Sequence, residues 1–188
     1  DIASYLKGEP ASVRGILDED GNFAWGRGVF GKFIDVMPQD GMVECHCPNC
    51  QAAYRKGDID YASDLIWSRT ARLGKRLKAD GFDCRIVLEA YVPYGRMPDF
   101  PIPDNVDVQV SRAGPWSLCS PETLRRHNAE IAAWAKKLGH KVWLWTYTDK
   151  VSCFNVEMPD VPQMTPHAWG EYYKSHRDSI VGAFSESE

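Results

Sequence analysis

The sequence predicts an α/β fold of the (β/α)8 TIM-barrel type, present by its C-terminal strands, and three observations carry that expectation. Strand-length apolar runs and amphipathic helical stretches follow one another as strand, helix, strand, strand, helix, strand, helix, strand, which argues for a mainly parallel sheet. Each strand divides into an aliphatic face and a face of acids, amides or large aromatics. A doubly wound sheet is covered by helices on both sides and should be aliphatic on both, whereas a barrel gathers polar and aromatic groups toward its mouth. Finally, Asp40 directly follows the first strand, where parallel α/β proteins place their chemistry.

The elements follow in order. Asp18-Glu19-Asp20-Gly21 reads as a turn. Residues 33–37 form a strand with Ile34 and Val36 opposite Phe33, Asp35 and Met37. A helix over residues 61–79 places Ile66, Thr70, Leu73 and Leu77 on one face, Arg69, Arg72, Lys75 and Arg76 largely opposite, and stops at Gly81. The strand over 85–91 sets Ile86, Leu88 and Ala90 against Val87, Glu89 and Tyr91. A proline-rich crossing leads to a strand over 106–110, with Val106, Val108 and Val110 opposite Asp107, Gln109 and Ser111.

Ser120-Pro121-Glu122 is an N-cap, a first-turn proline and an early acid, and Gly139 closes that helix. Residues 141–147 make the strongest strand, Val142 and Leu144 against Trp143, Trp145 and Tyr147. Thr165-Pro166 opens a helix to about His176, and residues 180–184 are the last strand. A complete eight-stranded barrel takes ~250 residues, and five strands are readable in 188. The expectation is therefore a loop-rich lead-in at 1–32 and a single domain at 33–188, the C-terminal portion of a barrel from a longer parent chain. A five-stranded flavodoxin-like sheet is the alternative. That fold would need a phosphate-cradling loop, and Gly26-Arg27-Gly28 does not complete one.

A net charge of −4 without a basic cluster lacks the electrostatic footprint of a nucleic-acid binder. Every apolar run is strand length, so no membrane span is expected. Residues 1–7 carry no basic, apolar leader. Six cysteines, three clustered and Cys84, Cys119 and Cys153 scattered, leave the compartment open.

Two acids stand out. Asp40 sits in a strand-end loop before Gly41, although an isolated Asp-Gly is also an ordinary turn. Glu89 lies within a strand, between Leu88 and Ala90. A carboxylate buried there must be paired, protonated or wet, because an unpartnered buried charge is costly. Two carboxylates at neighbouring strand ends match the acid/base requirement of glycoside hydrolysis. Tyr91, Trp145 and Tyr147 could supply flat apolar faces for sugar rings or simply pack in the core, as Trp143 is expected to do. Glu186, Asp35 and Asp149 are further strand-end acids. A non-catalytic carbohydrate-binding module on a degenerate barrel is the reading from a different class.

Cys45, Cys47 and Cys50, in C-x-C-x-x-C spacing, could be three ligands of a tetrahedral zinc. The fourth would be His46, Cys84 or an upstream residue. Reduced thiols packed in a loop, or a disulfide, remain the alternatives. Three thiolates would leave a metal little Lewis acidity, so the expected role is a closed structural clasp and no cofactor is required. His127 and His176 read as surface or boundary residues, and His46, His140 and His167 join no triad spacing.

Pro38-Gln39-Asp40-Gly41 followed by Cys45-His46-Cys47-Pro48-Asn49-Cys50 resembles the strand-end motif of a bacterial domain family placed among the TIM-barrel glycosidases and long labelled a domain of unknown function. The likeness continues through residues 86–94, 106–111, 142–147 and 182–184. It implies a glycoside hydrolase related to endo-acting β-N-acetylglucosaminidases, with an oligosaccharide or glycan as partner and export to the periplasm or cell surface. The resemblance maps the first acid to Asp40 and the strand-borne one to Glu89. Gln39 stands where the family has Asn, and Thr146 where Asp is common.

Overall fold

The computed structural model describes residues 1–38, 42–113, 120–147 and 166–186. The elements are α1 (Ile2–Leu6), β1 (Val29–Phe30), β2 (Phe33–Asp35), α2 (Pro48–Ala53), α3 (Ser63–Ala79), β3 (Arg85–Ala90), β4 (Val106–Ala113), α4 (Pro121–Leu138), β5 (Val142–Tyr147), α5 (Pro166–His176) and β6 (Ile180–Glu186). A short 3₁₀ turn, Ala11–Arg14, follows α1. The protein is thus mixed α/β, with its strands in chain order from β1 to β6. β1 pairs antiparallel with β2, while β2–β3, β4–β5 and β5–β6 are parallel. A flavodoxin-like sheet starts inside and winds both ways. A sequential order departs from that alternative and is consistent with part of a barrel.

Two compact units divide the chain. The first comprises Asp1–Leu88 and Val92–Asp107. Its core gathers Leu77, Cys84, Ile86 and Val106, with Ile2, Leu6, Val36, Leu73, Phe82 and Ile102 packed around them. The buried stripe of α3 is Ser63, Trp67, Thr70, Ala71, Gly74 and Leu77, rotated from the expected Ile66–Leu73 face. Gly74 explains the rotation. A Cβ there would stand 3.0 Å from Val106 Cγ2 and 3.1 Å from Asn105 Oδ1, so glycine lets the helix lie against that strand end. Asn105 Nδ2 donates to the Gly74 carbonyl at 3.1 Å.

Asp107, expected among the polar face of its strand, is instead a structural anion. It is buried and receives both Nε and Nη2 of Arg85. Removing one partner of a buried pair strands the other charge, at about 3–5 kcal/mol. Arg85 reaches solvent, which softens that penalty. Asp107→Ala is therefore expected to lower unfolding stability by about 2–3 kcal/mol, read as a fall in the urea midpoint.

The second unit comprises Glu89–Tyr91 and Val108–Glu188. Its helix α4 begins as the sequence indicates, with Thr123 N–H donating to Ser120 Oγ at 3.3 Å, and ends at Gly139 in the left-handed region (φ 71°). Val108, Val110, Val142 and Leu144 form a fully buried face, as do Ile131 and Trp134 of α4. Thr146 belongs to this face. It shares a hydrogen bond with Tyr173 Oη of α5 at 2.8 Å and donates to the Phe184 carbonyl at 3.1 Å. Thr146 is thereby tied to α5 and to β6.

His127 and His176 are not surface residues, being 6% and 7% exposed. His176 packs edge-on to Tyr172 at 4.7 Å between ring centroids, and its Nε2 lies 2.9 Å from Asn128 Oδ1, joining α5 to α4. Burial lowers the His176 pKa, because the charged form loses hydration. A group depressed in the folded state contributes its stability above the unfolded pKa, near 6.5, and loses it as pH falls through the folded value. Stability should thus decline on acidification below about pH 6.5, with His176→Gln flattening the decline in a melting series across pH.

Candidate functional site

The opposite face of the second unit's strands carries the candidate site. Parallel register aligns Gln109 with Trp143 and Ser111 with Trp145, then Trp143 with Gly182, Trp145 with Phe184 and Tyr147 with Glu186. Because side chains alternate along a strand, these positions share one face. Trp143, Trp145 and Tyr147 are half-buried, in contrast to the sealed aliphatic side. Gly182 matters here, since a Cβ at that position would approach Trp143 Cζ3 to 3.1 Å. Trp143, expected in the core, therefore lies across a gap that glycine leaves.

The end of this face is a connected constellation. Trp145 and Phe184 rings stand 4.4 Å apart, tilted by 47°. Trp145 Nε1 donates to Glu186 Oε2 at 3.0 Å. Ser111 Oγ and Tyr147 Oη lie 3.4 Å apart, either hydroxyl able to donate. Glu89 occupies the penultimate position of β3 and is 5% exposed. Burial pushes the Tyr147 phenol up, the Ser111 hydrogen bond opposes this, and Tyr91, Glu89 and Glu186 add to the rise.

Of the residues singled out from sequence, Trp145, Tyr147 and Glu186 share this face, while Glu89 is buried near the end of β3 and Tyr91 follows it. Ser111 and Phe184 were not singled out. The alternation pattern already put Ser111 on this face, whereas the pairing of Phe184 with Trp145 depends on register. Asp40 and Asp149 lie outside the described residues. Asp35 is exposed, and its Oδ1 accepts the Met37 N–H at 2.8 Å, a local turn role. Chemically, the assembly offers a buried carboxyl group, a second carboxylate fixed by an indole, two phenols and an apolar ring surface.

A second constellation lies in the first unit. The sulfurs of Cys45, Cys47 and Cys50 are all within 4.8 Å of one another, so this cluster could hold a metal ion. None of these cysteines, nor Cys84, is in a disulfide. Cys47 is the N-cap of α2, Pro48 its first residue, and Cys50 the buried residue of its first turn. The backbone N–H of Cys50 and the Cys45 thiol hold Cys47 at about 7, below the ordinary thiol value. Hydrogen bonds that the Cys50 thiol donates to Cys47 and Cys45, together with burial, push Cys50 up.

The loop geometry has its own supports. Cys45 N–H donates to Tyr54 Oη at 3.2 Å, and Gln51 Nε2 donates to the Cys45 carbonyl at 3.0 Å. Tyr54 packs edge-on to Tyr61 at 5.4 Å. Burial and a hydrogen bond to Glu44 push Tyr61 up to about 12. Two expectations are corrected. Cys84 belongs to the hydrophobic core, and His46 does not join the sulfurs, so neither is the fourth ligand in this geometry. Nor is the clasp closed, because Cys45 and Cys47 are exposed.

No protein-family model matches the chain, and no curated protein matches it. No helix among the described residues is long and apolar enough to cross a membrane.

Proposed function

We propose that this chain is a glycoside hydrolase-like domain, the C-terminal part of a (β/α)8 barrel, acting on a glycan in which β-N-acetylglucosaminide linkages are the class suggested by resemblance. The observation that carries the reading is the Trp145 indole bonded to Glu186 beside the Trp145–Phe184 ring pair, on the strand face that Tyr147 shares, with Glu89 buried near the end of β3. An apolar ring surface bordered by carboxylates suits a pyranose, whose axial C–H groups are apolar and whose hydroxyls lie around its edge. In this reading Glu89 is the general acid that protonates the leaving oxygen. Glu186, oriented by the Trp145 indole, accepts hydrogen bonds from sugar hydroxyls. Asp40 would orient the substrate's own acetamido group, as the resemblance implies. The cysteine cluster would hold a structural zinc apart from this chemistry.

The engagement of a Glu186 oxygen by Trp145 also suits a binding wall without catalysis. The two readings separate in one experiment on the full-length protein. Oligosaccharides that differ in sugar and linkage are incubated with it, and new reducing ends are measured alongside binding. Hydrolysis predicts accumulation of reducing ends with turnover. Saturable binding without release would replace the hydrolase by a carbohydrate-binding module.

A further inference from the structure

We infer that Arg69 is the counter-charge of a metal centre formed by Cys45, Cys47 and Cys50, and that the fourth coordination position of that centre opens to solvent for an exchangeable small donor. This rests on the metal reading of the cluster. Tetrahedral zinc thiolates have bonds of ~2.3 Å, which places sulfurs about 3.8 Å apart. Sulfurs mutually within 4.8 Å reach that spacing by small side-chain adjustments. The backbone that carries them is already held by Tyr54, Gln51 and the α2 hydrogen bond from Gln51 N–H to the Cys47 carbonyl at 3.0 Å, none of which uses a sulfur.

Charge decides the role of Arg69. A divalent cation with three thiolates sums to one net negative charge, which is unfavourable beside a buried ligand without a compensating cation. Arg69 Nη2 donates to Cys50 Sγ at 3.0 Å, on the one sulfur of the three that is buried. Its backbone belongs to α3, whose opposite face holds Trp67 and Ala71 in the core, so the guanidinium projects from an anchored helix. A hydrogen bond to a metal-bound thiolate lowers the charge on sulfur and fixes its orientation.

The outer side is different. Among the described residues no fourth His, Cys, Asp or Glu joins the sulfurs, and Cys45 and Cys47 face solvent. Water would complete the tetrahedron, and a neutral imidazole or a small thiol could exchange with it. Thiolate donors select soft or borderline ions such as zinc, and cobalt(II) reports their geometry.

The test is a cobalt(II) titration of the reduced full-length protein, followed by visible and charge-transfer absorbance and by zinc competition. One tetrahedral cobalt per chain is expected, absent in Cys50→Ser. Imidazole or 2-mercaptoethanol should shift the visible bands. Arg69→Met should weaken zinc binding ~10–100-fold, with Arg69→Lys recovering much of the loss. Failure of the wild-type chain to bind cobalt would remove the metal reading itself. Stoichiometric binding with unchanged affinity in Arg69→Met would overturn the role of Arg69 alone. Visible bands indifferent to both added donors would overturn the open position.

Discussion

Glu89→Gln is expected to reduce glycan turnover by about 10²–10⁴-fold, the usual contribution of a positioned general acid, while oligosaccharide affinity changes by only a few-fold. The substitution keeps shape and hydrogen-bonding capacity and removes only the transferable proton. At about 1.4 kcal/mol per tenfold, the loss corresponds to roughly 3–6 kcal/mol of transition-state stabilisation. A structural role for this buried side chain would lower stability and binding together, so kcat and affinity must be read separately. Glu186→Gln should be milder, because Gln can still accept the Trp145 indole hydrogen bond. Parallel losses of folding and binding in Glu89→Gln, with residual kcat intact, would return Glu89 to the scaffold.

The second large effect concerns the cysteines. Zinc at a thousandfold excess over its dissociation constant should stabilise the folded chain by about 4 kcal/mol through mass action, and a chelator should remove that increment. The first unit has its own hydrophobic core around Leu77 and Ile86, so metal removal is expected to lower the melting temperature without unfolding the chain outright. Cys47→Ser and Cys50→Ser should each abolish the zinc dependence. A melting temperature unaffected by zinc and chelator alike would leave the cluster as reduced thiols.

Much of the fold can be read from residue type because the strands are rich in β-branched and aromatic residues with period two. β3, β5 and β6 fall where that pattern sets them, and Ser120 and Gly139 bound α4 through cap chemistry. The missed elements are short. α1 has five residues and α2 six, too few for a helical period to emerge, and β1 has two. Its pairing with β2 follows from the turn at Gly31 (φ 57°). The buried stripe of α3 differs from the Ile66–Leu73 face because it runs through Trp67 and Ala71 and includes Ser63 and Gly74, small residues that an apolar pattern does not mark. His176 carries no apolar signal, and its burial comes from packing in the second unit.

The site shows the same division. Glu89 stood out because an acid between Leu88 and Ala90 contradicts its surroundings. Asp107 carries the same pattern, and its pairing with Arg85, 22 residues away in sequence, has no local sequence mark. Arg69 was recognisable only as a cation on the polar side of a helix. Its contact with Cys50 is a tertiary one between α2 and α3 and has no local sequence mark. Phe184 joins Trp145 for the same reason, through the β5–β6 register.

The most direct measurement is a crystal structure of the full-length Glu89→Gln protein soaked with an N-acetylglucosamine-containing oligosaccharide. The account predicts a sugar ring over Trp145 and Phe184, with its glycosidic oxygen within hydrogen-bond reach, ~3 Å, of the residue 89 side chain. A sugar bound elsewhere, or a residue 89 side chain turned away from the bound glycosidic oxygen and paired within the protein, would contradict it.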